Sequence, residues 1–341
     1  MKNLKNNFTL YILAIVAVFI SLTSCSDDDA KSGAPTIESV SYAYNDSLVD
    51  QGYAKNMYII RGKGFTDTQK IYFNETNTYF NSTLVTDEAI IVTIDEHTPY
   101  ENASDELKVV TPKGTAVFHF VVAPPAPEVK SFQPVNAADG EQITIYGNYF
   151  LDPIVTVGGV QAEIVSNSLT QIVAILPPGS QQKYVQVKTI SGKNEWNTAI
   201  GTAIYDDAFY SPWTIEDWNN HVYVTDLANA YQGTTFIKKE INGWDNIQGN
   251  WAWDENISQY DGIRIAVRSD DAGKLVFIFN GQFWGDDTHA FNTSTEWTEY
   301  RFTWAELGGQ PQALQNISFQ EFTGSKHNYY FDNIGYFKND Q

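Results

Sequence analysis

Apolar and polar residues alternate with a period of two along most of this chain. Runs rich in Val, Ile, Tyr and Thr, such as 57–61, 89–94, 106–110 and 116–122, stand between clusters of Gly, Pro, Asn and Asp. That rhythm predicts short half-buried strands joined by turns. A long 3.6-residue period with caps is missing; single helical turns are expected near 215–219 or 304–307. The fold class expected is therefore all-β. In 274–284, Leu275, Phe277, Phe279 and Phe283 share one parity. Val276, Ile278, Asn280, Gln282 and Trp284 share the other. Read as one strand, the first set faces a core, and the second runs along the outer sheet face and ends in amides and an indole. By the same rule Ile317 and Phe319 point inward, and Ser318 and Gln320 outward.

An internal repeat sets the domain boundaries. Ile60-Arg61-Gly62-Lys63-Gly64-Phe65 returns as Ile145-Tyr146-Gly147-Asn148-Tyr149-Phe150, with Gly62 and Gly147 separated by 85 positions. Later matches, Ile91 to Ile94 with Ile172 to Ile175 and Thr111 to Gly114 with Thr189 to Gly192, come at offsets of 81 and 78, so the second copy has shorter loops. Each copy opens on a proline-led strand, at Pro35 and Pro127, and the proline-rich stretch 124–127 is a stiff link. Gly147 is expected to permit a turn that a Cβ would strain, with Phe150 re-entering the core. These residues resemble the IPT/TIG domain, an immunoglobulin-like sandwich. The second copy carries its marks at Pro127, Val129, Phe132, Pro134, Gly140, Ile143, Ile145, Gly147 and Phe150. The first copy lacks the second proline and inserts 44–51. The expected organisation is a leader at 1–24, a linker at 25–33, IPT/TIG-like domains at 34–123 and 124–204, and a last domain at 205–341.

The leader is read from Lys2 and Lys5, the apolar run 10–20, and Leu22-Thr23-Ser24-Cys25. That tetrapeptide resembles a bacterial lipobox, which implies lipidation at Cys25. It is the only cysteine, so an internal disulfide is not expected. Asp27-Asp28-Asp29 resembles the surface-export signal of Bacteroidetes lipoproteins. The resemblance implies an outer-membrane, lipid-anchored, surface-exposed protein that meets the membrane only through its anchor.

Charge then narrows the ligands. The chain has 21 Lys plus Arg against 41 Asp plus Glu, a net charge of −20. Phosphate repulsion excludes nucleic acid as a partner. Neutral ligands remain, and uronates, which would want Arg or Lys at the site, fit less well.

Eight of the nine tryptophans lie from Trp213 onward, among Asn, Gln and Asp. An indole stacks on the C–H face of a pyranose, and amides bridge its hydroxyls. About half of this set is expected to fill the core, and Trp297 and Trp304, in a strand with Tyr300 and Phe302, are assigned mainly to packing. The candidate glycan-binding residues are Trp244, Trp251, Trp253, Asn280, Gln282, Trp284 and Gln320. Trp251 and Trp253, if extended, lie on one side of a strand about 6.5–7 Å apart. Tyr205-Asp206-Asp207 and the closing run 329–337 resemble the end strands of a galactose-binding-like jelly roll, as in carbohydrate-binding modules. That likeness implies a structural calcium at Asp206 and Asp332; the alternative is strand-end carboxylates without a metal. No other cofactor is expected. The whole architecture resembles a surface glycan-binding protein of a Bacteroidetes polysaccharide-utilisation system. It implies a polysaccharide ligand, a β-glucan first, and a SusC/SusD-type outer-membrane complex as partner. The last domain is then expected to fold and bind alone. A protein-binding adhesin is the alternative, and a small glycan-active enzyme a further one, although no carboxylate pair is marked by spacing.

Overall fold

The computed structural model describes residues 33–249, 253–254 and 256–339. Cys25, Asp27, Asp28, Asp29 and Trp251 lie outside the described residues. The fold is all-β, and the chain divides into one compact unit ending at Pro124 and another beginning at Pro125.

In the first unit, Thr36–Tyr42, Met57–Lys63 and Ala89–Thr93 form one antiparallel sheet. Thr76–Thr78, Lys70–Phe73, Glu106–Thr111 and Gly114–His119 form the second. A parallel pair, Gln51–Tyr53 with Val121–Ala123, completes it. Tyr58, Ile60, Phe65, Phe73, Val109 and Phe120 are among the side chains that fill the space between the sheets.

The second unit holds two sandwiches. In the first, Glu128–Gln133, Gln142–Asn148, Gln171–Ile175 and Glu163–Asn167 face Val160–Gln161, Ile154–Val157, Tyr184–Thr189 and Gly192–Ala199. Both repeat copies thus place an immunoglobulin-like sandwich on the same motif. The reason for its glycine differs from the expected one. Gly62 and Gly147 make no turn; each lies in a strand opposite a register shift of the preceding strand. A Cβ there would come within 1.9 Å of the carbonyl oxygen of Thr36 in one copy and of Glu128 in the other. Phe65 and Phe150 then pack over the bare glycine. The motif is a close approach of two backbones capped by a ring.

The second sandwich is of jelly-roll type. Its larger sheet runs Val222–Thr225, Thr235–Ile241, His327–Phe337, Gly262–Ser269, Thr298–Thr303, with Ala203–Tyr205 also pairing with His327–Phe337. Its smaller sheet runs Asn246–Gln248, Ile317–Glu321, Gly273–Phe279, Ala290–Thr293. Leu275, Phe277, Phe279, Ile317 and Phe319 turn inward, as the alternation predicts, against Ile263, Ile265, Tyr329 and Phe331 of the larger sheet. The helical turn expected at 215–219 is a 3-10 turn at Asp217–Asn219.

The two sandwiches of this unit are not beads on a linker. Asp206 Oδ2 accepts from the Val135 amide at 2.8 Å. The Trp196 indole donates to Gln232 Oε1 at 2.7 Å, and Gln232 donates in turn to the Phe132 carbonyl. Arg264, fully buried, donates to Thr202 Oγ1 at 2.9 Å and to the Tyr336 carbonyl. Burial lowers its pKa to about 10, with Glu299 opposing that fall, so it remains charged at neutral pH. Asn333 reaches Thr198 Oγ1 at 2.9 Å. The boundary expected at 204/205 therefore runs through one buried polar network.

Candidate functional site

The site stands at one end of the outer face of the smaller sheet; the middle of that face is covered, with Val276, Ile278 and Ser318 buried although the alternation turns them outward. Its rungs follow from register: Asn246, Gln320, Val276 and Ala290 lie side by side, and Gln248, Ser318 and Ile278 form the next rung. Two residues beyond Gln320 of the first rung stands Phe322, whose amide donates to the Lys274 carbonyl. Phe322 continues the outward parity of Ser318 and Gln320, a signal present in the sequence.

Trp244 enters the edge strand with its indole 57% exposed. The ring meets Phe322 edge-on, centroids 5.0 Å apart. Its other support is Gly324, where a Cβ would lie 3.1 Å from the indole. Trp244 has φ of 68°, a region that costs an L residue energy. Buried Glu321 holds it there: Oε2 accepts from the Trp244 amide at 3.1 Å and from Gly324 at 3.0 Å, and Oε1 from Thr323 at 2.6 Å. Glu321 sits at the inward parity of its strand, and a carboxylate at such a position must find donors.

Gln320 points outward and ties two loops together. Its Oε1 accepts from the Gly285 amide at 2.8 Å, and its Nε2 donates to the Trp244 carbonyl at 3.4 Å. Trp284, 42% exposed, precedes Gly285 on the loop so anchored. Lys274 faces Phe322 with its ammonium 5.6 Å from the ring centroid, and pairs with Asp287 of the same loop. Asp286 caps the short 3-10 turn Asp287–His289 and pairs with His289 at 2.9 Å. The Thr288 hydroxyl, then its amide, hold the Asp286 carboxyl below the ordinary range. His289 stacks on Phe283 with centroids 3.8 Å apart. Trp218, also exposed, flanks the edge strand from the other side, because Asn219 exchanges hydrogen bonds with Gln248 at 2.9 and 3.0 Å.

Several sequence expectations need correction. The strand expected over 274–284 ends at Phe279. Asn280 and Gly281 take φ of 49° and 73°, and the Gln282 amide closes the turn on the Phe279 carbonyl at 2.9 Å. This is the two-residue reversal that an Asn-Gly pair favours. Asn280 is therefore a brace: it donates to the Ala313 carbonyl at 2.9 Å and accepts from the Gln315 amide at 2.7 Å. Gln282 is exposed in the turn, not in a row of amides on the sheet. Trp253 is exposed, but at the far end of the edge strand from Trp244. Trp304 is buried and donates to the Tyr260 carbonyl at 2.5 Å, and Trp297 packs against Phe236, as expected.

Asp206 and Asp332 are each met by neighbouring protein donors. Asp206 accepts from Val135, from the Tyr210 hydroxyl at 2.9 Å and from Asp207 at 2.6 Å. Asp332 accepts from the amides of Tyr231, Gln232 and Asn333 at 2.7–3.0 Å. Burial raises the Asp332 carboxyl well above the ordinary range, with those three amides opposing the shift. Among the described residues, groups of three or more His, Cys, Asp or Glu placed to hold a metal are absent.

The sequence model of the IPT/TIG domain matches residues 127–205. A relative from Bacteroides ovatus, described as an IPT/TIG domain-containing protein, is 28% identical over 153 residues, which cover 42% of this chain and 31% of the relative. The match thus spans about a third of that relative's length. Among solved structures, the surface glycan-binding protein PbSGBP-B from Prevotella bryantii is 16% identical, with 91% of this chain and 100% of that one covered and a TM-score of 0.49. SGBP-B from a complex xyloglucan utilization locus in Bacteroides uniformis is 15% identical, with 90% and 100% covered and a TM-score of 0.34. The family 11 carbohydrate-binding module from Clostridium thermocellum is 11% identical, with 40% and 95% covered and a TM-score of 0.28. With the family's sequence model and the two-sheet sandwich falling on the same stretch, residues 127–205 are an IPT/TIG domain in an all-β chain.

Proposed function

We propose that the protein binds an extended polysaccharide without cleaving it, on the outer face of the smaller jelly-roll sheet. The observation that carries this reading is Trp244: a half-exposed indole, held in a costly backbone conformation by a buried carboxylate, beside an amide and a second exposed indole. A large apolar ring fixed open to solvent marks a binding surface. Trp244 and Trp284 would stack on sugar faces, with Gln320 between them. The carboxylates beside them argue against hydrolysis. A general acid needs a raised pKa, whereas Asp286 is held low and Asp287 is paired with Lys274. Since Lys274 is already neutralised, a neutral glycan fits the face better than a uronate, and a β-linked glucan is the first candidate. Titration calorimetry of the whole secreted chain with soluble β-glucans, mannan and polygalacturonate tests the reading. Binding of a neutral glycan without release of reducing ends is expected. Cleavage, or no binding to any neutral glycan, would overturn it.

Cys25 and the acidic run that follows support a lipid-anchored outer-membrane location, from which the protein would hand glycan to a SusC/SusD-type uptake complex. Cys25→Ala is expected to release the protein from washed membranes; its retention there would refute the anchor.

A further inference from the structure

A second concavity lies where the two sandwiches of the second unit meet. It is a cleft of about 350 Å³, walled by Asn136 and Tyr210 on one side and by Trp253, Asp254, Tyr260 and Tyr336 on the other. Tyr260 and Tyr336 stack face to face, 4.6 Å apart and within 6° of parallel, and both are buried, so this part of the wall is firmly packed. The Tyr336 hydroxyl donates to Asp254 Oδ2 at 2.6 Å, and the Tyr210 hydroxyl to Asp206. Trp253 stands at the rim with its side chain 54% exposed.

This cleft is separate from the outer sheet face. Trp244 precedes the strand Asn246–Gln248, at the end where Phe322 and Lys274 lie. Trp253 follows that strand, at the end where Gly249 bonds to Ile317 and Asp254 bridges to Leu314. Part of the cleft belongs to the IPT/TIG domain, which contributes nothing to the Trp244 face described above.

We propose that the cleft is a second saccharide site, taking a glycan end or a short oligosaccharide where the sheet face takes an extended chain. The choice of ligand class rests on the glycan-binding reading above; the site itself rests on this geometry. The volume lies at the lower end of small-molecule sites, ~300–1,000 Å³, which suits a mono- or disaccharide unit and not a long segment. Trp253 offers a stacking surface at the entrance. Among the described residues Asp254 accepts from the Tyr336 hydroxyl on Oδ2 and from the Asn256 amide on Oδ1, and a carboxylate oxygen can accept a further bond from a sugar hydroxyl. A carboxylate in the wall disfavours acidic sugars, so the occupant is neutral. The buried network that joins the sandwiches keeps both walls in register, and a cleft that need not close on its ligand saves the ordering cost of binding.

The test uses the whole secreted chain, with cellobiose, laminaribiose and mannobiose as probes in tryptophan-fluorescence titrations and calorimetry. Saturable binding of at least one disaccharide is expected. Trp253→Ala should weaken it by about tenfold or more, and Asp254→Asn by a few-fold, with unchanged melting temperatures. The double variant Trp244→Ala/Trp284→Ala should keep disaccharide binding within about twofold while losing polysaccharide. If no disaccharide binds the folded protein, if Trp253→Ala binds normally, or if the double variant loses the disaccharide, the second site does not exist. If instead the double variant keeps full polysaccharide affinity, the sheet-face reading fails, and the cleft is judged on Trp253 and Asp254 alone.

Discussion

Replacing Trp244 by alanine separates a binding role from a packing role. The side chain is 57% exposed, and its covered part rests on Phe322 and Gly324. An aromatic side chain carries ~150–250 Å², so about 90–140 Å² is open to a ligand. At ~25 cal/mol per Å² the full cover of that area is worth about 2–3.5 kcal/mol as an upper bound. Ordering and desolvation reduce it, and stacking of flat rings on aromatics is worth about 1–3 kcal/mol. Trp244→Ala is therefore expected to raise Kd for the polysaccharide by about 5- to 150-fold. The covered part is smaller, so the fold should survive. Trp304→Ala is the control: its ring is 6% exposed, and a core tryptophan costs about 3–5 kcal/mol of stability on removal. That variant should melt early yet bind normally when folded. Calorimetry and thermal melts on both proteins decide the matter. A Trp244→Ala protein that binds within twofold of the parent would show that this face is not where the glycan sits.

Three further outcomes follow from the same structure. The fragment 205–341 is expected not to melt cooperatively, because the cut removes Thr202 from Arg264, the Phe132 carbonyl and Trp196 from Gln232, and Thr198 from Asn333, leaving each with only its partners inside the fragment. Leaving a buried polar group unsatisfied costs about 1–3 kcal/mol, and more for a charged one; 125–341 should melt as one transition, and a stable 205–341 would refute the shared network. Asp332→Asn is expected to flatten the stability–pH curve. The folded carboxyl is raised above the unfolded value of ~3.9, so its contribution is full below pH ~4 and is lost as pH rises through the folded pKa. The variant should be at least as stable as the parent at pH 7, and a parent that gains more stability than the variant between pH 4 and 7 would contradict this. Gly147→Ala should lower the melting temperature of the second unit, since its methyl would meet the Glu128 carbonyl at 1.9 Å. Overpacking costs ~1–3 kcal/mol, or about 2–4 °C per kcal/mol at this size; an unchanged melt would mean the backbones can part.

The alternation of Leu275, Phe277, Phe279, Ile317 and Phe319 was enough to place a sheet face and its core, because side-chain parity is set by the strand itself. Periodicity could not see where a strand stops. The parity of 274–284 runs straight through Asn280 and Gly281, yet that Asn-Gly pair is itself a reversal signal, and it moves Gln282 and Trp284 off the sheet. Glu321 and Phe322 were also legible, the first as an inward position of Ile317–Glu321 and the second as the outward position just past its end. The junction was not. Arg264 with Thr202, Gln232 with Phe132, and Asn333 with Thr198 join residues 62 to 135 positions apart, and a local pattern holds no trace of such a pairing. The repeat glycines were found by self-similarity, but their purpose needed the neighbouring strand. For Asp206 and Asp332 the resemblance left a cation and plain strand-end carboxylates both open, because sequence shows the carboxylates and not the amides that meet them.

The platform also shows why two adjacent residues of one strand matter together. Gln320 and Glu321 point to opposite faces of the sheet, as consecutive strand residues must. Trp244 lies beside that strand end, with φ of 68°. Gln320 donates to its carbonyl from the outer face, and Glu321 accepts from its amide from the inner face. The two peptide groups of one residue are thus gripped from both sides of the sheet. A loop tryptophan without this grip would sample many orientations, and a glycan would have to order it on binding. Here the ordering is done by folding. Its cost falls on a buried carboxylate satisfied by the amides of Trp244, Thr323 and Gly324, and the open ring is presented to the ligand already fixed.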